Sequence, residues 1–124
     1  MTTDEKYMRR AIQLAKCGEA AVAPNPMVGA VIVKDDRIIG EGYHRRYGGP
    51  HAEVNAVNST EEDFDGCTMY VTLEPCSHWG KTPPCCDMII EKGFKRVVIG
   101  MQDPNSKVNG EGIRRMKEAG IEVE

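Results

Sequence analysis

The sequence predicts an α/β fold that is built on one mixed sheet with helices on its faces. A β-hairpin pattern lies in the first third of the chain, and apolar, β-branched runs then alternate with helical segments. Such an alternation forms a sheet that is covered by helices. The length of 124 residues, of which 40% are hydrophobic, is enough for one compact domain and too little for two.

The first predicted element is an N-terminal helix. Its apolar face is predicted from residues that recur at positions i, i+3, i+4 and i+7, namely Met8, Ala11, Ile12 and Ala15. Thr2-x-x-Glu5 matches a capping box, which predicts the start of the helix, and Gly18 is a stop signal.

A hairpin follows this helix. After the loop Pro24-Asn25-Pro26, the run Met27–Val33 predicts a strand. The polar segment Lys34–Arg37 then predicts a turn into a second strand, Ile38–Tyr43.

The remaining predicted elements alternate between helix and strand. For the third helix, Thr82 is the predicted N-cap, Pro83 the first helical position and Gly93 the end. In chain order the elements are a helix His51–Val57, a strand Thr68–Leu73, the helix that ends at Lys92, a strand Lys95–Gly100, a helix Gly110–Ala119 closed by Gly120, and a strand Ile121–Val123.

Charge and composition exclude several classes of function. A formal net charge of −3 and an aromatic content of 6% argue against a basic nucleic-acid surface and against a base-stacking platform. The apolar runs are strand-sized, and the first residues lack an apolar secretory core. We therefore expect a cytoplasmic protein with neither a nucleic-acid partner nor a membrane partner. A homo-oligomer is the expected assembly, because small domains often gain stability from a partner subunit.

The five cysteines are read as metal ligands or buried thiols, because the expected compartment is reducing. His51-x-Glu53 follows a Gly-Pro break, and Pro75-Cys76 precedes Cys85 by eight intervening residues. One imidazole and two thiolates leave the fourth position of a tetrahedral zinc open, which is the pattern of a catalytic site. Such a zinc acidifies a water molecule, and Glu53 is the candidate base for its proton. His51 and Glu53 are two residues apart and do not share a helix face, so both reach one site only if it lies beyond the helix N-terminus. Cys85 also lies in a predicted first turn, where a thiolate is favoured.

Other interpretations of these residues remain open. His51 and Glu53 also fit an ordinary helix start, and Cys76 and Cys85 also fit core thiols. A structural zinc would need a fourth protein ligand, which His78 or Cys86 would supply. Cys86 is expected to point about 100° away from Cys85, into the core or behind the ligands. The last two cysteines are predicted to be buried: Cys17 and Cys67.

The pattern of His-x-Glu, Pro-Cys and a later Cys resembles the zinc-dependent cytidine deaminase superfamily. Nucleoside and nucleic-acid members of that superfamily usually have two residues between the cysteines, whereas eight separate them here. The segment Pro75–Cys85 is similar to the deaminase domain of the bifunctional riboflavin-biosynthesis (RibD) family. Four other segments share this similarity, which runs from Tyr7 to Val123: Pro24–Val33, Gly40–His44, Gly48–Glu53 and Asp103–Asn105.

The resemblance implies a cytidine deaminase-like three-layer α/β/α sandwich with a mixed sheet of about five strands. It also implies hydrolytic deamination of 2,5-diamino-6-ribosylamino-4(3H)-pyrimidinone 5′-phosphate to 5-amino-6-ribosylaminouracil 5′-phosphate and ammonia. Family analogy assigns Zn²⁺ to His51, Cys76 and Cys85 and the proton shuttle to Glu53. It assigns the substrate to six further residues, with Asn25 and His44 at the ring and His78, Lys81, Asp103 and Asn105 at the ribose phosphate.

The substrate-site residues also have ordinary structural interpretations. His44 fits a hydrogen-bonded histidine at a strand end, Asn25 a turn residue and Lys81 a solvated lysine. Asp103 and Asn105 fit loop caps that follow a strand.

We interpret residues 1–124 as a single zinc-dependent deaminase domain. The bifunctional family adds a reductase domain, but no nucleotide-binding glycine fingerprint occurs here, so no reduction is predicted. The sequence leaves open whether the chain is a free-standing enzyme or an excised domain. Two other functions also stay open, namely a related free-base, nucleoside or tRNA deaminase and a non-catalytic zinc-binding module.

Overall fold

We describe residues 2–18, 27–45, 50–76, 84–100 and 110–124 of the chain from a computed structural model. Within these residues, an N-terminal helix and a hairpin are followed by alternating helices and strands. The elements are α1 (Thr3–Lys16), β1 (Gly29–Lys34), β2 (Arg37–Tyr43), α2 (Ala52–Asn58), β3 (Thr68–Val71), α3 (Cys85–Lys92), β4 (Arg96–Ile99), α4 (Glu111–Glu118) and β5 (Glu122–Val123).

The strands of the described residues form one mixed sheet with the order β2-β1-β3-β4-β5. β1 pairs antiparallel with both β2 and β3, whereas β3, β4 and β5 run parallel. The β1–β2 hairpin turns through Asp35 and Asp36, which both adopt left-handed φ values of 52° and 59°. Two consecutive left-handed residues are the turn that matches the twist of paired strands, so the predicted hairpin is confirmed.

Helices cover both faces of the sheet. Because side chains alternate along a strand, Val31 and Tyr70 face α1, whereas Ile32 and Met69 face the opposite side. The core on the α1 side consists of Tyr7, Ala11, Leu14, Val31, Val33 and Tyr70. The larger core on the other side includes residues of α2, α3 and α4, such as Ala56, Ile89 and Met116. This arrangement confirms the predicted three-layer α/β/α sandwich.

The start of α1 has the N-cap hydrogen bond of the predicted capping box. The Thr2 hydroxyl oxygen accepts a hydrogen bond from the Glu5 backbone N–H at 3.1 Å, and the same hydroxyl donates to the Glu5 carboxylate at 3.2 Å. The predicted apolar face of α1 is wrong at Ile12, which is 44% exposed, whereas Tyr7 and Leu14 are buried. Ala11 faces the sheet with no exposure, and Ile12 lies about 100° further round the helix.

Two other local predictions are also wrong. The N-cap of α3 is Pro84 and not Thr82, which with Pro83 lies outside the described residues. The N-cap residue makes no side-chain hydrogen bond to α3, and the first two N–H groups of the helix donate instead to Cys76 Sγ and to the Cys76 carbonyl oxygen. Cys17 is exposed just beyond the end of α1.

Other predictions about local structure are confirmed. Gly93 closes α3 with a left-handed φ of 83°, and Cys67 is buried as expected. Among the described residues, no helix combines the length and the apolar character that a membrane span requires.

Candidate metal centre and active site

The helices α2 and α3 point their N-termini towards the carboxyl end of β3. His51 is the N-cap of α2, Cys85 is the first residue of α3, and Cys76 lies in the segment that follows β3. In open α/β sheets, ligands bind outside the carboxyl ends of the strands. The expected placement of His51 and Cys85 at two helix N-termini is confirmed.

A glycine in β2 sets the position of α2 over the sheet. A Cβ atom at Gly42 would lie 2.3 Å from the Ala56 nitrogen and 2.6 Å from the Ala52 oxygen, both in the α2 backbone. Because glycine has no Cβ, the helix packs directly on the strand. The N-terminal residues of α2, including His51, therefore lie where this contact puts them.

The three predicted ligand residues lie together. His51 Nδ1 is 3.4 Å from Cys85 Sγ and 3.8 Å from Cys76 Sγ, and all three donor atoms lie within 4.8 Å of one another. A tetrahedral zinc with ordinary bond lengths separates a nitrogen donor from a sulfur donor by about 3.6 Å. One nitrogen and two sulfur atoms are also ligands that zinc prefers. The geometry and the chemistry of these donors therefore both fit a zinc ion.

The backbone at the start of α3 binds the Cys76 loop, which consists of residues 74–76. The Cys85 N–H donates to Cys76 Sγ at 3.1 Å, and the Cys86 N–H donates to the Cys76 carbonyl oxygen at 3.1 Å. Donors at a helix N-terminus stabilise negative charge, which favours a thiolate at Cys76. The first N–H groups of α3 thus bind Cys76, whose sulfur is one of the predicted metal ligands.

The imidazole of His51 and the thiols of Cys76 and Cys85 shift one another's pKa through short contacts. The pKa of Cys76 lies below its usual range, chiefly because of its contact with the Cys85 thiol and also because of its contact with the His51 imidazole. The pKa of Cys85 is correspondingly raised by its bond to Cys76 and by burial. The contact with Cys76 also raises the pKa of His51. Metal binding requires thiolates and a neutral imidazole, so it releases protons from this group.

Glu53 lies directly beside these donors. Its side chain is only 3% exposed, and its carboxyl group is one of the groups that raise the pKa of Cys85. Burial raises the pKa of Glu53 to about 7. A carboxyl group with a pKa in this range exchanges protons readily near neutral pH, which is the property of a general acid–base group.

His44 borders the same site. It is 4% exposed, and its ring meets the His51 ring edge-to-face with 5.6 Å between the centroids. His44 Nδ1 lies 3.0 Å from the Pro50 carbonyl oxygen, which requires the proton to be on Nδ1. Asn55 also donates to this carbonyl oxygen and, at 2.8 Å, to that of Tyr43. These bonds hold the end of β2 against the start of α2.

The structure brings together the four predicted catalytic and metal-site residues and places His44 at their edge. The other predicted substrate-site residues lie outside the described residues: Asn25, His78, Lys81, Asp103 and Asn105. Cys86 is fully buried in the larger core. Within the described part of the chain, the donor cluster does not include it.

One residue of this region was missed by sequence reasoning. Glu74 is 4% exposed and accepts hydrogen bonds from the Gly110 N–H and the Gly112 N–H, each at 3.1 Å. Its position next to Pro75-Cys76 was visible in the sequence, but its partners lie 36 and 38 residues further along the chain. No local pattern signals such a contact.

Comparison with known proteins identifies relatives along the whole chain. The family described as "Cytidine and deoxycytidylate deaminase zinc-binding region" matches residues 1–101. The riboflavin biosynthesis protein RibD of Escherichia coli (strain K12) is 58% identical over 120 residues, which are 97% of this chain and 33% of that protein. The diaminohydroxyphosphoribosylamino-pyrimidine deaminase of Buchnera aphidicola subsp. Schizaphis graminum is 54% identical, and the match covers 97% of this chain and 82% of that protein.

A solved structure agrees with these relatives. The crystal structure of a diaminohydroxyphosphoribosylaminopyrimidine deaminase/5-amino-6-(5-phosphoribosylamino)uracil reductase from Thermotoga maritima superposes with a TM-score of 0.93 at 57% identity. The match covers 98% of this chain and 35% of that chain. The chain thus spans about a third of the Escherichia coli and Thermotoga maritima relatives and 82% of the Buchnera aphidicola relative.

Proposed function

The chain belongs to the cytidine and deoxycytidylate deaminase zinc-binding family, and on this premise we propose that it is a zinc-dependent deaminase of riboflavin biosynthesis. The proposed substrate is 2,5-diamino-6-ribosylamino-4(3H)-pyrimidinone 5′-phosphate. Water replaces one amino group of the pyrimidine, and the products are 5-amino-6-ribosylaminouracil 5′-phosphate and ammonia.

The proposed metal ligands are His51 Nδ1, Cys76 Sγ and Cys85 Sγ. Their mutual distances and their nitrogen and sulfur chemistry support this assignment. When bound, a zinc ion with three protein ligands supplies Lewis acidity that brings the pKa of a water molecule close to neutrality. Two thiolates and a neutral imidazole balance the charge of the ion.

Glu53 is the proposed general acid–base residue. Its buried carboxyl group, beside Cys85, is shielded from bulk solvent, so a proton held on its oxygen stays within the site. In the proposed reaction, Glu53 accepts a proton from the attacking water. Glu53 delivers this proton to the ring nitrogen. It then takes the proton of the added hydroxyl group and passes it to the amino group, so that the C–N bond breaks, the carbonyl forms and ammonia leaves.

Substrate binding is proposed for His44 on the basis of its position. The Nδ1 contact with the Pro50 carbonyl oxygen and the ring contact with His51 fix His44 next to the proposed metal ligands. Asn25 remains the second residue proposed for the ring. Four residues remain proposed for the ribose phosphate: His78, Lys81, Asp103 and Asn105. A lysine and hydrogen-bond donors are what a phosphate group requires.

The observation that carries the proposal is the convergence of one imidazole and two cysteine sulfurs beside a buried glutamate. A purely structural zinc site does not need a buried carboxyl group beside the metal ligands. The proposal therefore includes catalysis as well as metal binding.

A substrate panel tests this function directly. The chain is purified with zinc, its metal content is measured, and ammonia release is followed with the diaminopyrimidine ribotide, cytidine, deoxycytidylate, guanine and an adenosine-containing tRNA. We expect about one zinc per chain and ammonia from the ribotide alone. Ammonia from one of the other compounds instead would replace the proposed substrate with a free base, nucleoside or tRNA. Zinc binding without ammonia from any compound would favour the non-catalytic module.

The remaining proposals concern the setting of the enzyme. We propose that residues 1–124 act as one deaminase domain in a cytoplasmic, reducing environment, as a homo-oligomer without a nucleic-acid partner. The free thiols of the described residues and the formal net charge of −3 support the environment and the absence of nucleic acid, respectively. Size-exclusion chromatography with light scattering measures the oligomeric state.

A further inference from the structure

Glu74 has no role in the reaction proposed above, although it lies two residues before Cys76. Its side chain reaches across to the start of α4, where Oε1 accepts from the Gly110 N–H and Oε2 accepts from the Gly112 N–H. Both distances are 3.1 Å, and the carboxylate is almost completely buried. An anion that accepts from the first N–H groups of a helix is stabilised by those donors and by the helix dipole.

A second contact joins the same two segments. A Cβ atom at Gly112 would lie only 2.5 Å from the Pro75 carbonyl oxygen. The first turn of α4 therefore packs against the backbone of Pro75 more closely than any residue with a side chain permits. Glu74 and Pro75 are thus held at the start of α4 by two hydrogen bonds and by a backbone contact.

Cys76 lies between two such attachments. On one side, the Cys85 and Cys86 N–H groups at the start of α3 bind Cys76 Sγ and the Cys76 carbonyl oxygen. On the other side, Glu74 and Pro75 are bound to the start of α4. The backbone of Cys76 consequently has little freedom to move along either direction of the chain.

We propose that Glu74 is a positioning residue for the metal site, which fixes the loop that carries Cys76 to the N-terminus of α4. This inference rests on the proposed function, because it takes Cys76 as a zinc ligand. Glu74 is neither one of the proposed metal ligands nor one of the proposed substrate-site residues. It acts by keeping Cys76 Sγ at a bonding distance, so that zinc binding does not have to order the loop.

Zinc release separates this role from a general contribution to stability. In Glu74→Gln, the amide oxygen accepts one of the two N–H groups and the amide nitrogen faces the other, so the attachment is broken with little change in shape. The matched control is Arg115→Gln, which removes the ion pair between Arg115 and Asp87, a contact between α4 and α3 in which Glu74 and Cys76 take no part. Zinc release from each protein is followed with an excess of a chromogenic chelator, and thermal unfolding is measured in parallel.

We expect Glu74→Gln to release zinc about tenfold faster than the unmodified chain. A tenfold change is the lower end of the loss of metal affinity when a residue that supports a metal ligand is replaced. Arg115→Gln should release zinc at the unmodified rate even if it unfolds at a lower temperature. Equal zinc release from Glu74→Gln and the unmodified chain overturns the inference, and so does equal acceleration in both variants. If the unmodified chain binds no zinc, the proposed function fails together with this inference.

If Glu74→Gln does not fold, amide hydrogen exchange of the unmodified chain tests the proposed role of Glu74. Coupling between two sites is reciprocal, so zinc binding must strengthen the attachment if the attachment favours zinc binding. Exchange of the Gly110 and Gly112 amides should therefore slow on zinc addition by more than that of the Ala119 amide, which bonds within the last turn of α4. Equal slowing at all three amides overturns the inference.

Discussion

The replacement Gly42→Ala tests whether the packing of α2 on β2 sets the position of the active site. The added Cβ would lie 2.3 Å from the Ala56 nitrogen and 2.6 Å from the Ala52 oxygen. Both atoms belong to the backbone of α2, so no side-chain rotation relieves the contact. The helix itself must move away from the strand.

The size of this movement follows from the distances. Ordinary contacts between non-bonded heavy atoms begin at about 3.5 Å, so α2 must shift by about 1 Å. His51 and Glu53 lie at the N-terminus of that helix and must shift with it. A displacement of this size at reacting groups costs about 100-fold in rate. Overpacking of this kind also lowers the free energy of unfolding by about 1–3 kcal/mol.

The assay measures kcat/KM for ammonia release, the zinc content and urea-induced unfolding of the purified variant. Gly40→Ala is the matched control, because its Cβ would lie 2.8 Å from the Ala56 oxygen and 3.0 Å from the Ser59 hydroxyl. This overlap is smaller and lies near the C-terminal end of α2. We expect a loss of about 100-fold for Gly42→Ala and of less than about tenfold for Gly40→Ala.

The reasoning is refuted if Gly42→Ala folds and keeps its kcat/KM within about threefold of the unmodified chain. In that case, the close approach of α2 to β2 would not control the geometry of His51 and Glu53. Equal losses of activity in both glycine variants would also contradict it, since the effect would then follow packing in general.

Three further predictions concern single side chains. Glu53→Gln should keep its zinc but lose about 10²–10⁴ in kcat, whereas the exposed control Glu61→Gln should match the unmodified chain; unchanged turnover of Glu53→Gln removes Glu53 from the mechanism. Cys85→Ala should lose zinc and thermal stability together, and tight zinc retention would reassign the ligands. The pKa of Asp4 is lowered to about 2, first by its bond to Arg96, so Asp4 stabilises the fold above about pH 4 and loses this contribution as the pH falls towards 2. After allowance for solvent screening, Asp4→Asn should cost about 1 kcal/mol at pH 7 and progressively less as the pH falls through 2, and a cost that is independent of pH in urea titrations would refute this.

Local signals in the sequence account for much of the fold. The hairpin turn at Asp35-Asp36, the Thr2 cap and the stop at Gly93 depend on the conformations of a few adjacent residues. Such preferences act over short stretches of chain, so sequence patterns read them well. The candidate ligands could be identified for the same reason, since His51 and Cys85 each follow a proline at the start of a helix.

Two errors of sequence reasoning concern contacts between separate segments of the chain. Ile12 has the spacing of a core residue, but the direction in which α1 packs on the sheet leaves it exposed. Thr82 has the character of an N-cap, but Cys76 takes the N–H groups at the start of α3 instead.

The sequence alone thus determined the order of the elements and the residue types of the site, because both are local properties. Only the tertiary structure decided that His51, Cys76 and Cys85 meet beside a buried Glu53 and that Glu74 reaches Gly110 and Gly112. His51 is 25 and 34 residues from the two cysteines, and Glu74 is 36 and 38 residues from its two partners. These contacts depend on the packing of helices against the sheet, which is a property of the whole core and not of any one segment.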